Sequence, residues 1–146
     1  MKVAIASDHA GFELKEAIKG AFPDISFLDF GTHSPDPADY PDTGGPAAKA
    51  VALGEAEKGV LICGSGIGMS ITANKIPGIR AALCCNTDVA RLSRRHNDAN
   101  VLCLAARFTA VPYALEIINA WLEAEYEGGR HQRRIQKMSD IEGEYQ

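Results

Sequence analysis

Short apolar runs alternate with amphipathic stretches along the whole chain of 146 residues. Apolar runs bounded by turn residues are typical of buried strands, whereas apolar positions repeating every three or four residues indicate helices. The pattern predicts strands at 2–7, 25–30, 60–63, 80–85 and 101–105. It predicts helices at 12–22, 46–58, 67–75, 88–96 and 111–127, and a last helix over 130–142 after a Gly-Gly break.

Five strands with intervening helices indicate an α/β fold with a doubly wound parallel sheet and helices on both faces. A chain of this length accommodates one domain, which we place over residues 1–146. We expect the strand order 2-1-3-4-5. Ligands of such sheets bind outside the carboxyl ends of the strands where the order reverses, here between the first and third strands.

The third predicted strand ends at Cys63 and runs into a glycine-rich turn, Gly64-Ser65-Gly66-Ile67-Gly68, that opens a helix. The first N–H groups of a helix lack partners, and with the positive end of the helix dipole they favour an oxyanion or a phosphate. The same field favours the thiolate of a nearby cysteine, so Cys63 could act as a base. A base beside an oxyanion site suggests enediolate chemistry. The alternative is a tight turn after a buried cysteine.

Two better-known phosphate motifs fit this turn poorly. The dinucleotide fingerprint requires glycine at the sixth position of the turn, where this chain has Met69, and an acidic residue after the next strand. The first acidic residue there is Asp88. A P-loop requires Gly-Lys-Ser/Thr after the turn, and that sequence is missing.

Other polar side chains are predicted to reach the same crevice. Asp8 and His9 follow the first strand, and Asp8 could instead cap the first helix. The segment 31–42 contains three prolines, which predict a loop rather than a helix or central strand. Tyr40 in this segment could line a ligand pocket or serve only in packing.

Charge and cysteine usage narrow the function classes. The net charge of −4 argues against a nucleic-acid partner, and no apolar run suits a signal peptide or a membrane span, so we expect a cytoplasmic protein. The four cysteines lack zinc-type spacing and are expected to be free thiols, with no metal site. Arginines cluster late in the chain, where they could bind a small anion or simply form a solvated helix face.

Six segments in order carry a resemblance to a known family. They are Ser-Asp-His-Ala-Gly at 7–11, Asp-Tyr-Pro at 39–41, Cys-Gly-Ser-Gly-Ile-Gly at 63–68, Ala-Asn-Lys at 73–75, Arg-His-Asn-Asp at 95–98 and Glu-Gly-Gly-Arg-His at 127–131. With these the chain closely resembles type B ribose-5-phosphate isomerases, a family that includes galactose-6-phosphate and allose-6-phosphate isomerases. The resemblance implies a flavodoxin-like sheet, no metal or other cofactor, and a homodimer or a dimer of dimers.

The resemblance also implies a reaction and its residues. Ribose 5-phosphate and ribulose 5-phosphate, of the pentose phosphate pathway, would interconvert through a cis-enediolate, with Cys63 as the base and Ser65 moving a proton between substrate oxygens. Some family members have a glutamate where this chain has Met69, which favours Cys63 here. His96, helped by Asp8, would open the sugar ring. The remaining substrate contacts would come from His9, Tyr40, Gly64, Gly66, Ile67, Gly68, Asn97, Arg107, Arg130 and Arg134.

Strand geometry adds a prediction about assembly. Cys63 follows one strand at its carboxyl end, whereas His96 and Asn97 precede another at its amino end. A strand of five residues separates these ends by roughly 15 Å. We therefore expect a site shared between two chains. Rival functions are an isomerase of a hexose 6-phosphate or tetrose 4-phosphate, and a non-catalytic sugar-phosphate sensor or flavin-binding carrier on the same fold.

Overall fold

Five parallel strands form the sheet at the centre of the computed structural model, which describes all 146 residues. The strands are β1 (Lys2–Ser7), β2 (Ser26–Asp29), β3 (Lys58–Cys63), β4 (Ala81–Leu83) and β5 (Val101–Ala105). The helices are α1 (Phe12–Ala21), α2 (Tyr40–Ala52), α3 (Ile67–Asn74), α4 (Thr87–Arg95), α5 (Val111–Glu123) and α6 (Arg130–Glu144). The predicted α/β class and its five parallel strands are confirmed.

The strand order is β2-β1-β3-β5-β4, so the predicted order 2-1-3-4-5 is wrong at one edge. Strand β5 lies beside β3, with Gly59 opposite Val101 and Cys63 opposite Ala105. Burial explains the exchange, because every residue of β5 is buried whereas the three residues of β4 are only half-buried. An inner parallel strand is covered on both faces and needs a continuous apolar run, so the short β4 occupies the edge. The reversal between β1 and β3 is unaffected.

Helix α2 spans Tyr40–Ala52, so both bounds of the helix predicted at 46–58 are wrong, as is the prediction that residues 40–42 belong to a loop. Residue 58 begins β3 instead. Pro41 lies in the first turn, where a missing N–H leaves no acceptor unpaired. Pro46 is exposed within the helix. The proline removes one backbone hydrogen bond of the helix, and burial of the inner face of α2 offsets this loss of stability. That face consists of Gly44, Ala47, Ala48, Ala50 and Val51. The other elements differ from their predicted bounds by a few residues at their ends.

Apolar side chains pack against both faces of the sheet. Val60 and Ile62 of β3 join the core beneath α1, α4 and α5, which also contains the fully buried Trp121. Leu61 and Cys63 point to the opposite face, beneath α2 and α3, as the alternation of side chains along a strand requires. None of the helices combines the length and apolarity needed to cross a bilayer.

A buried ion pair, which the sequence did not predict, ties α1 to the end of β2. The fully buried Lys15 Nζ donates to the two carboxylate oxygens of Asp29 at 2.7 and 2.9 Å and to the carbonyl of Thr32 at 2.7 Å. Lys19 Nζ donates to Asp29 Oδ2 at 2.7 Å. Burial disfavours the charge of Asp29, but the hydrogen bonds from Lys15 and Lys19 hold its pKa below the ordinary value.

Candidate active site

The glycine loop, residues 64–68, joins the end of β3 to α3. Gly66 is the N-cap of α3 and has a φ of +75°. A Cβ at this position would collide with the Leu83 side chain and lie 3.1 Å from the carbonyl carbon of Leu104. Only glycine therefore suits both the backbone conformation and the space at this corner. The corner places the buried Cys63 directly before the loop.

The N–H groups of this loop are largely unpaired within the chain. Those of Gly64, Ser65, Gly66 and Gly68 donate to no acceptor, whereas the N–H of Ile67 donates to the Ser65 hydroxyl at 3.2 Å. Four free donors at the positive end of a helix form a site for an oxyanion or a phosphate. The unpaired donors that the sequence led us to expect are present, and the binding of an anion by them stays a prediction.

The side chains of Tyr40 and Arg107 pack directly on the glycine loop. A Cβ at Gly68 would lie 2.6 Å from Tyr40 Cζ, and a Cβ at Gly64 would lie 3.1 Å from Arg107 Nη1. The backbone N–H of Arg107 also donates to the Gly64 carbonyl at 3.0 Å. Both residues therefore reach the loop of their own chain, and glycine at 64 and 68 leaves room for them.

Asp8 and His9 arrive from β1 on the other side of the crevice. The Asp8 N–H donates to the carbonyl of Ile62 at 3.2 Å, which places Asp8 beside the end of β3. Its Oδ1 accepts the N–H of Gly11 at 3.1 Å, so the carboxylate braces the start of α1 while Oδ2 has no partner within the chain. The exposed His9 accepts the Ala38 N–H on Nδ1 at 3.2 Å. Oδ2 of Asp8 and Nε2 of His9 are left for a ligand.

His96 and Asn97 lie near the amino ends of the strands, opposite the carboxyl ends that hold the glycine loop. His96 caps the end of α4. The Asn100 carbonyl, which follows closely, accepts the N–H of Gly59 at 2.9 Å, at the amino end of β3. Gly59 and Cys63 belong to the same strand, and four residues at about 3.3 Å each separate them by roughly 13 Å. The structure therefore does not bring His96 or Asn97 to Cys63 of the same chain.

Arg130 and Arg134 lie on the same side of the molecule as His96, because α6 begins beside that residue. The imidazoles of His96 and His131 stack with ring centroids 4.2 Å apart and planes inclined by 13°. Glu127 Oε2 lies 3.8 Å from Nε2 of each histidine. Arg130 and Arg134 are exposed and four residues apart, so they share a face of the first turns of α6. The predicted phosphate ligands therefore divide into two groups. Arg130 and Arg134 lie near the amino ends of the strands, whereas His9 and Arg107 lie at the carboxyl ends.

Glu127 and His131 are residues that the sequence reasoning missed. Both stand in the Glu-Gly-Gly-Arg-His segment at 127–131, of which only the arginine received a role. The proximity of these two side chains could not be read from the sequence, because it depends on the turn at Gly128 and Gly129. These glycines have φ values of +65° and +60° and lead the chain into α6. With His96 they place three possible metal-ligating atoms within 4.8 Å of one another.

The four cysteines are free, as predicted, and they differ in environment. Burial raises the pKa of Cys84 to about 11 and also raises the pKa of Cys103. Neither thiol supplies a thiolate near neutral pH. Cys85 is exposed at the surface. Cys63 is the cysteine that directly adjoins unpaired backbone donors.

A cavity of about 350 Å³ lies away from the glycine loop, between α6 and the β4 edge of the sheet. Its walls include Asn74, Arg80, Ser93, Met138 and Glu142. Asn97 is the one predicted site residue in its lining. The cavity adjoins the second group of residues but contains neither a cysteine nor the unpaired donors of the glycine loop, so we do not place the chemistry there.

The fold and the glycine loop define a doubly wound α/β protein with a cysteine beside unpaired backbone donors at the carboxyl ends of its strands. The chain belongs to the Ribose/Galactose Isomerase family, which it matches over residues 3–138. It is 46% identical over 143 residues to ribose-5-phosphate isomerase B of Escherichia coli strain K12, covering 97% of this chain and 96% of that protein.

Solved structures agree with this membership. Ribose-5-phosphate isomerase B of Clostridium thermocellum superimposes with a TM-score of 0.98 at 49% identity, over 100% of both chains. The ribose-5-phosphate isomerase B of Mycoplasma genitalium, solved with bound ribulose-5-phosphate, gives a TM-score of 0.93 at 39% identity. That match covers 98% of this chain and 97% of the other. The resemblance stated from the sequence motifs is confirmed.

Proposed function

We propose that this protein interconverts D-ribose 5-phosphate and D-ribulose 5-phosphate, with Cys63 as the proton-transfer base. The observation that carries the proposal is the position of Cys63, directly before four unpaired backbone donors at the start of α3. The named reaction of the relatives and the ribulose-5-phosphate bound to the Mycoplasma genitalium protein support this choice of substrate.

In the forward direction the Cys63 thiolate takes the proton from C2 of the open-chain aldose. The electron pair of the broken C–H bond forms the C1–C2 double bond, and the carbonyl oxygen O1 becomes negative. Backbone N–H groups of the glycine loop stabilise this oxygen, at about 2.7–4 kcal/mol for each donor. Ser65 passes the O2 proton to O1, and the Cys63 thiol returns its proton to C1. The C2 carbonyl forms, and Cys63 is again a thiolate.

Ring opening requires an acid–base group, and His96 has the suitable chemistry. His96 would exchange a proton with the ring oxygen, assisted by the Asp8 carboxylate, while Asn97 contacts sugar hydroxyls. Since His96 lies at the amino edge of its own sheet, we propose that two chains share each site. The 95–98 segment of one chain would cover the Cys63 crevice of the other, in a twofold homodimer.

The same arrangement would reunite the two groups of phosphate ligands. His9 and Arg107 would come from the chain that supplies Cys63, with Tyr40 lining the pocket between them. Arg130 and Arg134 would come from the exposed face of α6 on the other chain. Guanidinium groups offer paired donors that suit a phosphate dianion better than an ammonium group does.

Measured specificity tests the substrate assignment. Purified protein would be assayed on ribose 5-phosphate, allose 6-phosphate, galactose 6-phosphate and erythrose 4-phosphate, because the base and the loop would serve each of them. We expect the highest kcat/KM on ribose 5-phosphate. Faster turnover of a hexose or tetrose phosphate would reassign the substrate and keep the mechanism. A protein that binds these sugars and turns over none would be a sensor, contrary to the proposal.

A further inference from the structure

The turn after α4 contains a residue in an unusual backbone conformation. Asp98 has a φ of +45° and is the only residue other than glycine with a positive φ in the chain. Aspartate enters this region more readily than most residues, but glycine does so at a lower cost. Asp98 closes the Arg-His-Asn-Asp segment at 95–98, in which His96 and Asn97 already have proposed roles. A carboxylate is therefore present where the backbone alone would favour glycine.

The carboxylate of Asp98 is held between two arginines from different parts of the chain. Its Oδ1 accepts a hydrogen bond from Arg94 Nη1 at 2.8 Å, and its Oδ2 accepts one from Arg80 Nη2 at 3.2 Å. Arg94 is buried, and its Cζ lies 5.9 Å from the centroid of the Trp121 ring. Arg80 directly precedes β4. The carboxylate thus links the turn to the core and to the sheet at the same time.

The same two arginines also hold the backbone of the turn. Nε of Arg80 donates to the carbonyls of Asn97 and Asp98 at 3.1 and 3.0 Å. Nη1 of Arg94 donates to the carbonyl of Ala99 at 2.7 Å. Three consecutive carbonyls are thus bound by guanidinium groups. We call this arrangement of Arg80, Arg94 and Asp98 the Asp98 clamp, and the turn cannot shift without breaking it.

We propose that Asp98 is a positioning residue, which holds His96 and Asn97 in the orientation that they need at the Cys63 crevice of the other chain. This inference rests on the proposed function and its shared site. Stacking on His131 restrains the ring of His96, whereas Asn97 is exposed and depends on its backbone for its position. A misplacement of about 1 Å in a group that acts on the substrate can cost about 100-fold in rate. The Asp98 clamp supplies the rigidity that prevents such a misplacement.

Kinetics of two variants test the positioning role. Asp98→Gly suits the positive φ and removes the carboxylate, whereas Asp98→Asn keeps one acceptor oxygen. We expect Asp98→Gly to lower kcat on ribose 5-phosphate by about 10–100-fold, with Asp98→Asn between it and the wild type. KM should change little, because the proposed phosphate ligands lie outside the clamp. The control Asp88→Asn removes a carboxylate of α4 that is 89% exposed and pairs with Arg91, and both constants should stay unchanged.

A mixing experiment separates positioning from a general role in folding. Asp98→Gly chains would be mixed in equal amounts with Cys63→Ala chains or with His96→Ala chains, under free exchange. In the first mixture an intact 95–98 segment meets an intact Cys63 in every heterodimer, so activity should rise to about a quarter of the wild-type value. The second mixture contains no intact site, so its activity should not exceed that of Asp98→Gly alone. A residue that served only the folding of its own chain would give the same outcome in both mixtures.

Three results would overturn the positioning role. They are a wild-type kcat in Asp98→Gly, an equal loss of kcat in Asp88→Asn, and equal recovery in the two mixtures, each measured where circular dichroism shows the chains to be folded. Arg80→Met keeps the test informative if Asp98→Gly does not fold, because it opens the clamp and leaves the buried Arg94 paired with Asp98. We expect Arg80→Met to lower kcat and to recover in the first mixture only.

Failure of the proposed function would look different. Full activity of His96→Ala chains would refute the ring-opening role of His96. No recovery on mixing Cys63→Ala with His96→Ala chains would refute the shared site. In that case the kcat of Asp98→Gly against that of Asp88→Asn would still decide whether the Asp98 clamp serves catalysis.

Discussion

The carbonyl oxygen of Asn100 accepts the backbone N–H of Gly59 at 2.9 Å, and this hydrogen bond fixes the segment after α4 to the amino end of β3. Cys63 lies at the other end of that strand. The register of β3 with β5, from Gly59–Val101 to Cys63–Ala105, leaves no freedom for the two ends to approach each other. The distance between His96 and Cys63 of one chain is therefore a property of the sheet itself.

A complementation experiment tests the shared site. Cys63→Ala and His96→Ala chains should each be inactive alone. After equal mixing and free exchange, half of the dimers are heterodimers, and each of these has one intact site, so activity should return to about a quarter of the wild-type value. Subunit exchange would be checked with differently tagged chains. Complete exchange without recovered activity would mean that the two residues do not act across an interface.

Cysteine reactivity should single out Cys63. Cys63→Ala should lower kcat by more than about 100-fold, the usual size of a general-base contribution, with the fold retained. Iodoacetamide should inactivate a Cys85→Ser protein, and ribose 5-phosphate should slow this inactivation. Cys84 and Cys103 should stay unmodified in peptide mass spectra, since burial raises both pKa values. Inactivation that tracks either of these two would contradict the assignment.

Arg130 and Arg134 should matter more than their neighbour Arg133. Alanine at either of the first two should raise KM and lower kcat/KM by about 1.5–3 kcal/mol, as for the loss of a charged hydrogen bond. Arg133 lies on the same helix, about 100° around its axis from Arg134, and serves as the matched control. Equal losses in all three variants would indicate a diffuse basic surface instead of a phosphate site.

The buried Lys15–Asp29 pair should dominate stability at the β2 edge. Asp29→Asn leaves the buried ammonium of Lys15 with only the exposed carboxylate of Glu16 nearby, at a cost of about 3–5 kcal/mol in the free energy of unfolding. Glu16→Gln is the control, because Glu16 is 45% exposed and lies 3.7 Å from Lys15, a surface pair worth about 0–1 kcal/mol. Urea titrations of the three proteins at neutral pH would measure both differences.

Acid should remove the contribution of Asp29. Folding lowers its pKa, so the ionised carboxylate stabilises the protein fully above the ordinary value of 3.8, and this stability is lost as the pH falls through the lower pKa of the folded state. The stability gap between the wild type and Asp29→Asn should therefore be constant near neutrality and shrink below pH 3.8. A gap that widened in acid would contradict the ionic origin of the effect.

Removal of metal ions should leave catalysis intact. In the proposed mechanism the enediolate oxygen is stabilised by backbone N–H groups, so the reaction needs no Lewis acid. Activity after exhaustive dialysis against EDTA should therefore equal that of the untreated enzyme. A requirement for an added divalent cation would count against the mechanism.

Local features of the sequence were predicted most successfully. The alternation of apolar runs and amphipathic stretches predicted the existence and order of every strand and helix, though not the bounds of α2, because each segment must bury one face or one stripe. The glycine loop after Cys63 was equally visible, since positive φ and close backbone approach require glycine at that point. These features depend on neighbours in the chain and little else.

Long-range competition explains what the sequence did not predict. The exchange of β4 and β5 depends on which of two strands buries more surface beside β3, and Tyr40 starts a helix because the small residues after it pack on the sheet. The stacking of His131 on His96 joins parts of the chain that only tertiary structure brings together. No short pattern contains these relationships.

In the shared-site proposal, each end of strand β3 lies beside half of a site, so catalysis requires two chains to associate. Each chain contributes Cys63 to one site and His96 to the other, so a chain without a partner contains no complete site. Specific activity in very dilute samples would then rise in proportion to protein concentration and level off once all chains are paired. Dilution alone would switch such an enzyme off, without any inhibitory ligand.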